Sequence, residues 1–270
     1  MRYGMIAGNG RFPVLALEAA RQLGLDLVVV AIREEAGPEV ARLAPKYYSI
    51  SLGELGKLIS ILKHEDISEV MMCGQVKHTK IFSSIRPDWR LFKLLLSLEQ
   101  KNTDALIGGV VRILEDEGIR LTDSTMLLKD LLACEGDLTS RTPGADERKD
   151  IEYGRRIANA LAAFDIGQSV AIADRACVAV EAMEGTDAML RRAASLVEGR
   201  PLRLVKVSRR RKHLLFDVPV AGPATIDVMR ETGTTAMAVD AGRTLLLDRA
   251  ELLERANSSG IAIVGFAPAE

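Results

Sequence analysis

Aromatic side chains are scarce: 4 % of the 270 residues, with a single tryptophan, against 48 % hydrophobic residues overall. A core with so few rings must be packed from Ala, Val, Leu and Ile, the usual material of helices laid on buried parallel strands. Cysteine is equally sparse, since Cys73, Cys134 and Cys177 are odd in number, widely spaced and form no Cys-x-x-Cys pair. Neither a disulfide framework nor a zinc cluster follows from them. The three histidines are too few and too scattered for a His-rich dimetal site. No run of about 20 apolar residues occurs, so no helix long enough to span a membrane is expected. The run Met5-Ile6-Ala7 is too short for a signal peptide, and a cytoplasmic protein is the expectation. Neither sign of charge dominates, with 36 basic against 37 acidic residues and a net charge of −1. That balance argues against a general nucleic-acid binder.

What is present suits an α/β protein of two domains, roughly 130 residues each. Gly4-Met5-Ile6-Ala7 is an apolar run that ends in Gly8-Asn9-Gly10-Arg11. A helical pattern follows to Gly24, then the continuous apolar strand 27–32. Strand, glycine turn, helix and strand open a doubly wound, Rossmann-like domain with a parallel sheet. Glycine turns let backbone N–H groups face an anion at the helix N-terminus, which makes Gly8, Asn9, Gly10 and Arg11 candidate nucleotide contacts. The third glycine of the dinucleotide fingerprint is replaced by Pro13, and Glu34-Glu35 after the second strand is ambiguous as a ribose-binding acid. A nicotinamide cofactor is therefore discounted. Strands at 47–50 and 70–73 follow, the latter ending in Gly74-Gln75, where ligands of open α/β sheets sit. Lys77, His78, Lys80 and Arg86 surround Phe82, and residues 82–98 are apolar on more than one helical face. Core packing, an acyl groove or a subunit contact each accounts for that face. Helices are expected at 88–100, 104–117 and 126–132.

Residues 134–146 carry breakers and no periodicity, so they read as a linker between a domain of 1–133 and one of 147–270. The second domain begins with a helix at 147–164. A hairpin through Asp174-Arg175 then delivers Glu181-Ala182-Met183-Glu184-Gly185-Thr186-Asp187. Thr186 can cap the helix that follows, and Asp187 falls in its first turn. The mixture of Glu181, Glu184, Asp187, Arg191 and Arg192 suits either a solvated, well-capped helix or a site for a metal ion and phosphate. Spacing alone leaves both open.

Asp165-Ile166-Gly167-Gln168 and 179–189 together resemble one family, the LpxI-type UDP-2,3-diacylglucosamine pyrophosphatases of lipid A biosynthesis. Ile6-Ala7-Gly8-Asn9-Gly10, Gly74-Gln75-Val76, Asp123-Ser124-Thr125, Asp217-Val218-Pro219, Gly222-Pro223-Ala224-Thr225 and Asp248-Arg249 extend the similarity along the chain. The resemblance implies Mg²⁺-dependent hydrolysis of a lipid-linked sugar nucleotide to UMP and the diacylated sugar 1-phosphate, lipid X. It also implies a Rossmann-like N-terminal domain, a distinct α/β C-terminal domain and a site in the cleft between them. Asp217 matches the family's essential aspartate. The family's Lys-Pro-x-Gln-Asp-x-Arg run before that residue is replaced here by Arg209-Arg210-Arg211-Lys212-His213-Leu214-Leu215, and Asp240 stands where glutamate is usual.

A pyrophosphate resists water because of its charge, so catalysis needs cations on its oxygens and a positioned nucleophile. Mg²⁺ takes one or two protein carboxylates with phosphate oxygens and waters. Asp217 is the first choice for catalytic and metal-binding carboxylate; Asp187, Glu184 and then Glu181 follow. Lys206, Arg191, Arg210 and Arg211 are candidate phosphate clamps. Gln168, Gly185, Thr186, Gly74 and Gln75 join them as substrate contacts through the family blocks. Peripheral contact with the inner membrane and a homodimer are expectations of the same reading. The competing expectation is a non-catalytic nucleotide-sugar binding or regulatory protein of the same fold, kept open by the altered run before Asp217.

Overall fold

The computed structural model describes residues 2–76, 86–98, 103–164, 166–209 and 218–269. The chain separates into two compact units, Met1–Leu128 and Lys129–Glu270.

In the first unit, β1 (Arg2–Ala7), β2 (Asp26–Ile32), β3 (Lys46–Ile50), β4 (Glu69–Cys73) and β5 (Arg120–Leu121) form one parallel sheet in the order β3-β2-β1-β4-β5. Leu27 to Ile32 is buried without a break, as a central parallel strand covered on both faces must be. The helices are α1 (Phe12–Gln22), α2 (Pro38–Leu43), α3 (Leu55–His64), α4 (Trp89–Ser97) and α5 (Thr103–Asp116). Sequence periodicity passed over α2, whose six residues are too few to repeat; Gly37 and Pro38 set its start. The turn at 124–127 leads only to a single 3₁₀ turn, Lys129–Leu131, in place of the expected helix. Asp123 bends the preceding backbone by accepting from both the N–H and the hydroxyl of Thr125 at 2.7 Å.

The second unit holds a six-stranded mixed sheet, ordered β6-β13-β11-β9-β7-β8. Its strands are β6 (Gly136–Asp137), β7 (Ser169–Ala173), β8 (Ala176–Val180), β9 (Leu202–Lys206), β11 (Thr234–Asp240) and β13 (Ala262–Phe266). The short strands β10 (Val220–Ala221) and β12 (Leu245–Leu246) pair with each other apart from it. Alternate residues face opposite sides, as a period of two requires. Val170, Ile172, Val205, Ala236, Ala238, Ala262 and Val264 pack on Ile151, Ala158 and Ala162 of α6 (Ala145–Ala163). Ala171, Leu202, Leu204, Met237 and Ile263 pack with α7 (Thr186–Leu196), α8 (Pro223–Glu231) and α9 (Arg249–Ser258). The result is an α/β/α sandwich.

One local feature differs from the sequence reading and one agrees with it. Residues 134–146 are partly ordered into the second sheet: Gly136 and Asp137 pair with β13, and the Leu138 N–H donates to the Ile263 carbonyl at 2.8 Å. A two-residue strand carries too little pattern to be seen. The hairpin turn at Asp174-Arg175 is as expected, with both residues at positive φ (49° and 58°), the twist a two-residue hairpin needs. The Asp150 carboxylate holds it by accepting from the Arg175 N–H at 2.7 Å.

Candidate functional site

In the first unit, the sheet order reverses between β1 and β4, and the candidate glycine turns lie at the carboxyl ends of those two strands. The Gly8 N–H donates to the Cys73 carbonyl (2.8 Å), while Asn9 and Gln75 exchange two backbone hydrogen bonds of 2.8 and 3.0 Å. Glycine is demanded by this closeness. A Cβ on Gly8 would sit 2.6 Å from the Gln75 oxygen, and one on Gly74 would meet Asn9 O at 2.5 Å and Pro13 Cγ at 2.9 Å. Gly10, at φ 97°, turns the chain into α1, whose first turn contains Pro13. Arg11 lies at the N-cap and pairs with Glu18 at 3.5 Å. Glu35, ambiguous in the sequence, is buried, and its carboxylate accepts from Asn9 Nδ2 at 3.3 Å. The β1 and β2 loops are thereby joined at the carboxyl ends of their strands.

The second unit gathers charge. The antiparallel pairing of β7 with β9 sets Ser169 opposite Lys206. The next antiparallel pair brings Glu181 alongside, its N–H donating to the Ser169 carbonyl at 2.9 Å. The helix α7 then begins beside both. Lys206 is only 9 % exposed, and its ammonium donates to the Thr186 hydroxyl at 2.9 Å. Thr186 in turn donates to Glu181 Oε1 at 2.9 Å, and Ser169 Oγ lies 3.3 Å from the same hydroxyl. Gln168 is fixed here through its carbonyl, which accepts from the Val207 N–H at 2.9 Å.

Thr186 is therefore not the helix cap. Gly185 occupies that position at φ 84°, without a side-chain cap, and Thr186 is the first helical residue with its hydroxyl turned to Lys206 and Glu181. Asp187 does lie in the first turn. Burial raises its pKa, an effect that Arg191 and Lys206 oppose and Glu181 and Glu231 reinforce. Its carboxylate forms no hydrogen bond or ion pair among the described residues.

The other candidate side chains are engaged elsewhere. Glu184 accepts from Arg192 (2.5 Å) and from the Ala182 N–H (3.0 Å), and the Arg192 bond in particular lowers its pKa. Arg191 makes a forked pair with Glu231 of α8, at 3.0 and 3.2 Å, on an exposed face. Arg210, Arg211 and Asp217 lie outside the described residues. Their segment starts from a fixed post. The buried Asp240 carboxylate, at the end of β11, accepts from both the N–H (2.8 Å) and the hydroxyl (3.0 Å) of Ser208. At the far side, the Pro219 carbonyl accepts from the Leu245 N–H at 2.9 Å. Sequence reasoning missed Ser169 and Ser208, whose one signal was position, each polar and within two residues of a candidate.

Other family blocks serve as local caps. The Thr225 hydroxyl accepts from the Gly222 N–H at 3.3 Å at the start of α8, and Asp248 takes the N-cap of α9 in the left-handed region. Arg249 donates to the Asp130 carbonyl at 3.1 Å.

Comparison with known proteins identifies the family of the chain. The model of the LpxI N-terminal domain matches residues 2–131, and that of the LpxI C-terminal domain matches residues 134–264. A protein of Caulobacter vibrioides named UDP-2,3-diacylglucosamine pyrophosphatase LpxI is 32 % identical over 279 aligned residues, covering 100 % of this chain and 99 % of the relative. Solved structures are more distant. CobK precorrin-6A reductase aligns over 100 % of this chain and 91 % of its own at 14 % identity, with a TM-score of 0.35. The biotin carboxylase domain of a single-chain bacterial carboxylase covers 58 % and 29 % at 16 % identity, with a TM-score of 0.28. Scores that low carry no structural argument. The sequence matches do, and with both halves covered in order the chain belongs to the LpxI family.

Proposed function

We propose that this chain hydrolyses the pyrophosphate of UDP-2,3-diacylglucosamine, releasing UMP and 2,3-diacylglucosamine 1-phosphate, a step of lipid A biosynthesis. The observation that carries the reading is the end-to-end match to the LpxI family and to a relative bearing that activity in its name. The polar cluster of the second unit supports it chemically. Lys206 would neutralise non-bridging phosphate oxygens, and the N–H groups at the start of α7 would add partial positive charge. The glycine turns of the first unit would receive the nucleotide by close backbone approach.

Mg²⁺ is part of the proposal. Among the described residues no group of three or more His, Cys, Asp or Glu side chains could hold a metal, and Mg²⁺ needs no such cage. Asp187 fits as one protein ligand, because its carboxylate is unpaired and its burial penalty would be relieved by a cation. Asp217 would be the other. Glu184 fits less well, its oxygens being committed to Arg192 and the Ala182 N–H. When bound, the ion would draw charge from the phosphoryl oxygens. Asp217 would also orient the attacking water, and Arg210 and Arg211 would add phosphate-facing charge. An Arg210→Ala, Arg211→Ala double variant with unchanged kcat and KM would remove the two arginines from the proposal.

Purified protein given UDP-2,3-diacylglucosamine is expected to release UMP, to stop with EDTA and to resume with Mg²⁺. Tight substrate binding without UMP release would instead leave a nucleotide-sugar binding protein. A diacylated substrate is drawn from a bilayer, so peripheral membrane contact belongs to the same reading. Among the described residues no helix is long and apolar enough to cross a membrane. A homodimer is checked by sedimentation over a range of concentrations, where an invariant monomer mass would dismiss it.

A further inference from the structure

The helix α4 has two unlike faces. Leu91 and Leu94 are buried, and the Asp88 carboxylate accepts from the Leu91 N–H (2.9 Å) and, across to α3, from the Gly56 N–H (2.6 Å). Arg90 and Lys63 of α3 both reach Glu117, whose pKa falls to about 2 through the hydrogen bonds from Lys63 and then Arg90. The helix is thus held firmly by one side. Trp89, Phe92, Lys93 and Leu96 follow at i, i+3, i+4 and i+7 on the other side. Trp89 is 66 % exposed, Phe92 43 % and Leu96 72 %. The two rings stack with centroids 6.0 Å apart, and the Lys93 ammonium lies 5.1 Å over the Trp89 ring.

Charge indicates what covers this face. From 86 to 98 the cations are Arg86, Arg90 and Lys93; Arg90 is paired with Glu117, and the sole carboxylate, Asp88, accepts backbone N–H groups with both oxygens, which leaves Arg86 and Lys93 to meet an anion. A second copy packed about a twofold axis at the centre of this face would bring the two Lys93 ammoniums near each other. An anionic bilayer meets all three features. Its interface takes tryptophan at headgroup level, its acyl boundary takes phenylalanine and leucine, and its surface attracts lysine and arginine.

We propose that the Trp89–Phe92–Leu96 face of α4 docks this protein on an anionic lipid bilayer. The proposal rests on the reading of the substrate as diacylated only for its purpose, which is to bring the enzyme to the surface where such a molecule resides.

Trp89 is the only tryptophan of the chain, so its emission reports on this face directly. With vesicles of phosphatidylethanolamine and phosphatidylglycerol, a blue shift, quenching by brominated lipid and co-sedimentation are expected. All three should weaken in high salt and in pure phosphatidylcholine. The Phe92→Asp, Leu96→Asp variant keeps the tryptophan and the buried leucines. It should lose vesicle affinity by about tenfold or more, with melting temperature and turnover of detergent-dispersed substrate unchanged. No co-sedimentation with either vesicle, or equal binding by the variant, overturns the proposal. So does a blue shift on concentrating the protein without lipid, which would mean a second copy. Loss of turnover in detergent by the variant also overturns it, since the face would then be an acyl groove. UMP release without vesicle binding sinks the docking face alone, and vesicle binding without UMP release sinks the proposed activity alone.

Discussion

The strand ends of the two units are finished in different materials. In the first, β1 and β4 close against each other through backbone alone, with Gly8 and Gly74 removing the atoms that would keep them apart. In the second, the ends of β7, β8 and β9 meet through side chains: Ser169, Glu181, Thr186 and Lys206. A surface of backbone N–H groups can position an anion, whereas an ammonium and carboxylates can also change its reactivity. Under the proposed function, placement of the nucleotide would fall to the first unit and chemistry to the second.

The largest expected effect tests that division at its strongest point. Asp217→Ala should lower kcat by about a thousandfold or more while leaving substrate binding measurable by calorimetry; near-normal turnover would remove its central role. Lys206→Met comes next, with kcat/KM down by about a hundredfold, and a loss confined to KM would make the lysine a placing group like the glycines. Gly8→Ala should act the opposite way, raising KM by about tenfold with kcat nearly intact, because its Cβ would push the Gln75 carbonyl.

Asp187→Asn should raise the Mg²⁺ needed for half-maximal rate, again by about tenfold, without lowering the melting temperature. The sign follows from the raised pKa. Just above the ordinary carboxylate range the folded protein holds a proton that the unfolded chain has lost, so stability falls as pH rises through that window. The asparagine removes this fall, while a helix-capping role would instead show as a lower melting temperature. Smallest for function is Gly154→Ala in α6, whose Cβ would lie 2.7 Å from Val205 and 2.8 Å from Ile172. It should cost about 1–3 kcal/mol of stability, read by denaturant unfolding, with kinetics unchanged.

Patterns confined to a few neighbouring residues were legible in the sequence. The continuous apolar run of β2, the turn at Asp174-Arg175 and the glycine stops all report themselves locally. The two-domain α/β class follows from their sum, together with the family blocks. What was not legible depends on register between distant strands. Ser169 looked like an ordinary strand residue until the β7–β9 pairing set it opposite Lys206. Thr186 had the right type and place for a cap, and only the neighbouring lysine and glutamate explain why its hydroxyl is spent elsewhere. Glu35 could not be told from Glu34 until Asn9 selected one of them. Segment 134–146 lacked periodicity because the strand it contributes is two residues long.

The Thr186 hydroxyl carries a further consequence. Arg192 touches Glu184 directly, and the two charges largely cancel for anything approaching from outside. Lys206 and Glu181 are kept one hydroxyl apart, with a single neutral oxygen bridging them. The threonine acts as a spacer: it fixes the ammonium in place without a direct ion pair to Glu181. Two of the three N–H bonds of Lys206 have no partner among the described residues. A direct ion pair at the same spot would have been a strut, and with the spacer the spot remains an electrode.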